Sequence, residues 1–323
     1  MCDKKNSLPS KHAAALTLLA VGLLLTVSAT VMHCINLYYF YDVEIGYFTS
    51  GALLPRITRW LVILSTVSFA AMGIFVFRGS PLRYAKEIPL PVRLGAIVSA
   101  LGVIALTALD ILSYVKGNTE KLPLHLVLLG ILSVVFFVLL TLNKRMEALQ
   151  VISGFAVILR LVLLLADSYF NILVPMNAPE KISFMFGCLG GMVLISTELR
   201  GVARRIRPGL ALFLLSSATL LLGFSSIPWL FGYVCGIHTD PTLLGGSILL
   251  LSLFAVALCR FITVCLNPFP AEEDEEKEPT GEPSDVAAAE TADLSEESPA
   301  PESTEEEPTP SDEEEASPSS KEE

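Results

Sequence analysis

Five ionisable residues stand out within long apolar stretches, and three of them have types and a spacing that could bind a charged group or move a proton. Arg160 lies thirteen residues after Glu147, and Asp167 follows seven residues later on the same face of a helix. Asp110 lies near the end of an earlier apolar stretch. A charged side chain at the centre of a membrane span costs about 3 kcal/mol, so each of these residues needs a partner or a function.

Two interpretations of these residues remain open. In the first, Arg160 is the cation of a polar site with Asp110 and Asp167 as acidic partners. Such a site could bind an anionic head group or substrate, or relay protons. In the second, the residues form a structural ion pair that fixes helix packing, or the two acids lie at the water interface. We favour the second, because interior charges often pair for structure alone.

The other residues capable of chemistry do not indicate an enzyme, although an intramembrane enzyme remains a third functional class. The chain has no HExxH or GxSxG motif and no paired Asp motif inside its apolar stretches. His33 and His238 are isolated, which favours an interfacial position over a catalytic role. Arg260 lies close enough to the end of the last stretch to snorkel to the interface. We therefore predict no catalytic residue, no cofactor and no metal site.

Eight apolar stretches are long enough, or nearly so, to carry these residues across a membrane. A helix needs about 20 apolar residues to cross the hydrocarbon core, and runs without two-residue alternation favour helices over barrel strands. We predict an all-α membrane protein: a bundle of about eight transmembrane helices (12–266) between a cytoplasmic N-terminus (1–11) and a disordered acidic C-terminal tail (267–323). The stretches are 12–36, 57–77, 94–115, 123–142, 148–172, 182–199, 209–234 and 243–266, the sixth being the shortest.

The distribution of basic residues predicts the orientation of the bundle. The N-terminus and the second, fourth and sixth loops hold thirteen Lys and Arg residues, whereas the opposite set of loops holds five. Basic residues near span ends favour the cytoplasmic side. We expect both termini in the cytoplasm and the protein in the plasma membrane. Aromatic residues at the opposite ends of the spans fit an outer interface.

The first outer loop, residues 37–56, is the longest predicted connection on that side. Its core runs from Tyr41 to Phe48, with Asp42 and Glu44 between aromatic residues and Gly46 able to form a turn. We favour an interfacial turn anchored by its aromatic residues over a cation site, since Ca²⁺ requires six to eight oxygen ligands. This segment, with the layout of spans, resembles uncharacterised polytopic membrane proteins of anaerobic Gram-positive bacteria. The resemblance implies no activity.

Two features within the spans predict helix geometry. Pro228 should kink the outer third of the seventh span, because it removes a helix hydrogen bond. Gly187 and Gly191 form a GxxxG motif in the sixth span, which favours close helix packing, either within the chain or between chains.

The C-terminal tail differs from the rest of the chain in charge. Residues 271–323 hold 22 acidic and two basic residues, whereas residues 1–270 hold 11 acidic and 20 basic ones. The tail has too little apolar surface to offset the entropy of ordering, so we expect it to act mainly as a solvated spacer. We expect contact with membrane lipids and a possible protein partner through the tail, but no nucleic acid. The favoured function is a non-catalytic membrane component acting through partners or structure; the alternative is a small-molecule or lipid transporter, or lipid-handling protein, with a polar site around Arg160.

Overall fold

The architecture is seen in a computed structural model of the chain. It describes residues 4–43, 45–75, 88–117, 124–142, 146–170, 175, 178–202, 208–238 and 241–266. The predicted tail (267–323) and Glu44 of the first outer loop lie outside these residues. The disorder of the tail therefore stays a prediction.

Eight α-helices form the described chain, and each contains a segment long and apolar enough to cross a membrane. This confirms the predicted all-α fold of eight spans. The continuous apolar runs fold as helices because only internal hydrogen bonding satisfies the backbone in lipid. The helices are α1 (Lys4–Tyr39), α2 (Leu53–Phe75), α3 (Leu90–Val115), α4 (Leu124–Leu142), α5 (Glu147–Phe170), α6 (Pro179–Val202), α7 (Pro208–Val234) and α8 (Pro241–Leu266).

Several helices extend beyond the predicted apolar stretches. The sixth helix has 24 residues although its apolar stretch (182–199) is the shortest of the eight, and α4, with 19 residues, is the shortest helix of those described. Helical hydrogen bonding continues into polar residues that an apolar window excludes. Pro179 also suits the first position of α6, where its missing N–H has no helical partner to lose.

A short β-hairpin follows α1 and defines one end of the bundle, called here the hairpin end. Strands β1 (Tyr41–Asp42) and β2 (Tyr47–Phe48) pair antiparallel, with Tyr41 opposite Phe48. Gly46 has a φ of 73°, and its amide donates to the carbonyl of Asp42 at 2.8 Å. The predicted turn is therefore a hydrogen-bonded hairpin, and its glycine adopts a backbone conformation that other residues rarely take.

Helix α7 lies at the centre of the bundle. Its apolar segment is 72% buried, compared with 22% for that of α2. It packs against α1, α2, α6 and α8. Helix α3 packs against α4 and α8, and α5 packs against α4 and α6. The hydroxyl of Ser99 on α3 donates to the carbonyl of Ser252 on α8 at 2.9 Å. Odd-numbered helices end, and even-numbered helices begin, at the hairpin end.

The glycines of α6 pack within the chain. A methyl group on Gly187 would collide with the Ser225 side chain of α7, and one on Gly191 would lie 2.9 Å from the Leu161 side chain of α5. The GxxxG motif is therefore used for packing inside this chain. Helix α7 continues to Val234 past Pro228.

Candidate functional site

Arg160 and Asp110, two of the three predicted site residues, are in contact. Nη2 of Arg160 on α5 donates a hydrogen bond to Oδ2 of Asp110 on α3. Arg160 is 2% exposed, whereas the side chain of Asp110 is 22% exposed. Asp110 lies five residues before the end of α3 and Arg160 ten before the end of α5, so the pair lies in the hairpin half of the bundle. The guanidinium reaches across to a carboxylate at the edge of the packed interior.

Asp167, the third predicted site residue, makes no ion pair with Arg160, although its charge acts electrostatically on Asp110. Its side chain is exposed on the last turn of α5, and it forms no ion pair with a described residue. Nε of Arg160 is buried without a hydrogen-bond partner among the described residues. A hollow of about 360 Å³ lies at the opposite end of α5, and none of the three predicted residues lines it. Its lining consists of Glu147, Ala148, Val151, Ile152 and Val202.

A second buried ion pair joins α6 to α8 at the opposite end of the bundle. Nε and Nη2 of Arg260 donate to the two carboxylate oxygens of Glu198 at 2.7 and 2.6 Å. Arg260 is 5% exposed and Glu198 3%. The prediction that Arg260 snorkels to the interface was therefore wrong, because a carboxylate at the same depth holds it inside. Two parallel hydrogen bonds fix the guanidinium plane as well as its charge.

The turn after α7 brings the side chain of His238 back into contact with α7. Gly236 has a φ of 73°, its amide donates to the carbonyl of Tyr233 at 3.1 Å, and that of Ile237 donates to the carbonyl of Gly232 at 2.8 Å. These two bonds form a Schellman motif, which ends a helix and reverses the chain. The imidazole of His238 then lies over Gly232, where a methyl group would lie 2.6 Å from its Nε2.

His238 meets Tyr41 and Glu180 at the hairpin end. Nδ1 of His238 lies 3.1 Å from Oε1 of Glu180, an ion-pair separation without good hydrogen-bond geometry. The Tyr41 hydroxyl donates a hydrogen bond to the Glu180 carboxylate. One carboxylate in the first turn of α6 thus contacts both the hairpin and the turn between α7 and α8.

Aromatic rings enclose this contact. The indole of Trp229 stacks on the imidazole of His238, with centroids 4.5 Å apart and planes 30° apart. The ring of Tyr41 lies edge-on to the same imidazole at 6.2 Å. On α1, the ring of His33 lies 4.4 Å from that of Phe224 and 6.1 Å from that of Phe48. Both histidines predicted to be isolated are therefore buried within one aromatic cluster.

Burial shifts the proton affinities of the two cluster residues outside the spans. It lowers the pKa of His238 from 6.5 to about 4, because an enclosed imidazolium loses its hydration. Burial raises the pKa of Tyr41, and its hydrogen bond to Glu180 adds to the effect. At neutral pH both side chains are uncharged.

The acidic partners on α6 are the contact residues that the sequence reasoning missed. Glu180 lies in the first turn of α6 and Glu198 lies four residues before its end, positions where a charged residue is expected at the end of a span. A usable signal exists for Glu198: it lies four residues before the end of α6, and Arg260 lies six before the end of α8. Both helices run in the same direction, so these opposite charges lie at similar depths.

The described residues show no site beyond these contacts that would assign a chemistry. No group of three or more His, Cys, Asp or Glu side chains among them could hold a metal ion, and Cys34 and Cys235 are both free thiols. Eight helices of spanning length and composition indicate a multi-pass membrane protein. Comparisons with protein-family models, curated proteins and solved structures find no match for this chain.

Proposed function

We propose that this chain is a non-catalytic component of the plasma membrane that acts through its folded bundle and through partners. One observation carries the proposal: Arg160 and Arg260 each bind a carboxylate of another helix. This pairing supports a structural reason for the charges inside the spans. Such pairs fix helix neighbours without requiring a ligand.

The test separates structural pairing from ligand binding at Arg160. We expect Arg160→Leu and Asp110→Leu each to lower the melting temperature of the purified protein, because each leaves one charge without its partner. The double variant should recover much of the loss, since it buries neither charge. Glu147→Leu is the matched control, because this exposed acid lies at the opposite end of α5 and forms no ion pair with a described residue.

A polar site around Arg160 is the second candidate function. Two observations favour it: the buried Nε of Arg160 has no hydrogen-bond partner among the described residues, and the Asp110 carboxylate is partly exposed. An anionic lipid head group could accept from that nitrogen. This candidate predicts that Arg160→Leu folds normally but loses the thermal stabilisation given by phosphatidylglycerol over phosphatidylcholine. A destabilised Arg160→Leu that Asp110→Leu rescues would instead support structural pairing.

We also propose that the hairpin end faces the cell exterior and that both termini are cytoplasmic. The thirteen to five distribution of basic residues supports this orientation. Cys235, an exposed thiol in the turn after α7, offers a direct test. In a variant whose only cysteine is Cys235, a membrane-impermeant maleimide added to intact cells should label the protein. A variant whose only cysteine is Ser319→Cys should be labelled only after lysis; the reverse pattern would invert the orientation.

The acidic tail is the segment through which we propose a protein partner. Its net charge of −20 suits a basic surface. Truncation after Leu266 should reduce the size of the complex extracted from native membranes, and raised salt should have the same effect on the full chain. A complex of unchanged size after truncation would argue against this role and leave the tail as a spacer.

A further inference from the structure

The hollow of about 360 Å³ at the end of the bundle opposite the hairpin lies where α5 and α6 meet, and it is called here the α5–α6 hollow. We propose that it binds one acyl chain of an anionic phospholipid, whose phosphate is attracted by the basic residues of the adjoining segments. This proposal goes beyond the membrane role proposed above, because it names a lipid class and a site that involves neither Arg160 nor the acidic tail. The lining consists of Glu147, Ala148, Val151 and Ile152 of α5 and Val202 of α6.

The packing of α5 on α6 determines where the hollow lies. Gly154 allows the two helices to approach closely, since a methyl group there would lie 2.6 Å from the Leu199 side chain. Val151 lies three residues nearer this end of the bundle on α5, and Val202 lies three residues nearer it on α6. Because the two helices run in opposite directions, the hollow lies about one turn, or roughly 4.5 Å, beyond the contact of Gly154 with Leu199. Helix α6 ends at Val202, so the hollow lies beside its last turn.

The lining of the hollow suits a hydrocarbon chain. Ala148, Val151, Ile152 and Val202 are apolar, and Ile152 is 59% exposed. A volume of about 360 Å³ is at the lower end of the range for small-molecule sites, so it suits part of one acyl chain rather than a whole phospholipid. The hollow also lies in the end turns of two segments of spanning length. At this depth the acyl chain of a lipid begins below its head group.

The sequence on both sides of the hollow supplies the charge that selects an anionic head group. Residues 143–147, which lead into α5, hold two basic residues and one acidic residue, and residues 200–207, from the end of α6 onward, hold four basic residues and no acidic one. The net charge of these two segments together is therefore +5. Basic residues next to membrane spans attract anionic lipids, and each one near the surface strengthens binding about fivefold. This charge favours phosphatidylglycerol over phosphatidylcholine, whose ammonium group cancels the charge of its phosphate.

Glu147 distinguishes an anionic lipid from another occupant, phosphatidylethanolamine. Its carboxylate lines the hollow, so it opposes the phosphate of an anionic lipid and would attract the ammonium group of phosphatidylethanolamine. We assign the anionic lipid because six basic residues outnumber this carboxylate in the two segments. Glu147→Gln should therefore raise the affinity for phosphatidylglycerol, by up to about fivefold for a carboxylate about 4 Å from the phosphate in water.

Native mass spectrometry of the full-length protein in detergent measures the head-group preference. The probes are phosphatidylglycerol, phosphatidylethanolamine and phosphatidylcholine with identical acyl chains, so that only the head group differs. We expect phosphatidylglycerol to bind roughly fivefold or more tightly than phosphatidylcholine. Equal affinities for the three lipids would overturn the proposal.

Two tryptophan variants test whether this preference belongs to the hollow. Ala148→Trp places a large ring where the chain would lie, so the affinity for phosphatidylglycerol should fall to about that for phosphatidylcholine. Ala148 is exposed and tryptophan is common at membrane interfaces, so this variant should fold. Leu149→Trp is the matched control, because Leu149 is the next residue and is 38% exposed but does not line the hollow. It should keep the preference, and the melting temperature of each variant without lipid checks its folding.

Three further results would overturn the proposal. A preference for phosphatidylglycerol that survives in folded Ala148→Trp would place the lipid outside the hollow. A preference that Arg160→Leu abolishes and Ala148→Trp retains would place it in the Arg160 region. Preferred binding of phosphatidylethanolamine that weakens in Glu147→Gln would assign the hollow to an ammonium head group.

Discussion

Replacing Glu198 by glutamine removes the negative charge that holds Arg260 inside the bundle, while the shape of the side chain stays nearly the same. Arg260 is 5% exposed and donates two hydrogen bonds to the carboxylate at 2.7 and 2.6 Å. Breaking a buried pair by removing one charge costs about 3–5 kcal/mol, because the other charge stays desolvated. At tenfold per 1.4 kcal/mol, the unfolding equilibrium should shift by roughly a hundred- to several thousand-fold.

The double variant Glu198→Leu with Arg260→Leu shows how much of that cost comes from the stranded charge. Replacing a buried ion pair by apolar residues is often neutral or stabilising, so this variant should be close to the natural protein. Equilibrium unfolding of the purified protein in sodium dodecyl sulfate, followed by circular dichroism, measures each variant. Arg200→Gln is the matched control, because Arg200 lies two residues beyond Glu198 in α6 but is exposed. We expect its effect to stay within about 0.5 kcal/mol.

Two results would refute this reasoning. If Glu198→Gln changed stability by no more than Arg200→Gln, the charge of Arg260 would not depend on this carboxylate. If the double leucine variant were as unstable as the sum of its single variants, the two side chains would not be coupled.

Further variants test the packing and the independence of the two ends. Gly73→Ala should lower the free energy of unfolding by about 1–3 kcal/mol, because the new methyl would lie 2.6 Å from a backbone carbonyl oxygen of α7. This loss is expected although alanine normally favours a helix, and equilibrium unfolding in detergent measures it. Asn36→Leu and Thr58→Val should show a coupling of about 0.6 kcal/mol in a double-mutant cycle, since Asn36 donates to the Thr58 hydroxyl at 2.9 Å. Glu180→Gln and Glu198→Gln should add within about 0.5 kcal/mol, because 18 helical residues separate them by about 27 Å; a larger deviation would show that the two ends are coupled.

The number and order of the spans could be predicted because membrane insertion depends on a local property. Each span requires a continuous apolar run of fixed length, and this run can be read directly from the sequence. The ends of the helices were less predictable. Helix α1 begins at Lys4 rather than at residue 12, because polar residues outside the hydrocarbon layer continue the same hydrogen-bonding ladder.

Contacts between distant segments were predictable only where burial forced a pairing. Arg160 had to find an acid, and Asp110 was the acid in the corresponding half of a parallel helix. Tyr41 and Glu180 carry no such signal, since each lies at the edge of an apolar run where water could satisfy it. The position of His238 arises from the Schellman turn after α7, which returns its imidazole to Trp229. No local pattern shows where a returning chain will pack.

The two ion pairs within the spans share a property that bears on how the bundle selects its arrangement. One joins α3 to α5 and the other α6 to α8, so each connects helices that are two apart in the chain. Consecutive helices are tethered by their short loops, but helices two apart have only their apolar faces, and many apolar faces can pack together. An unpaired charge in lipid costs far more than a poor apolar contact, so each pair excludes arrangements that separate its partners. We infer that the pairs restrict how the helices can be arranged more than they add stability, and that apolar double replacements would keep the bundle folded while loosening its choice of packing.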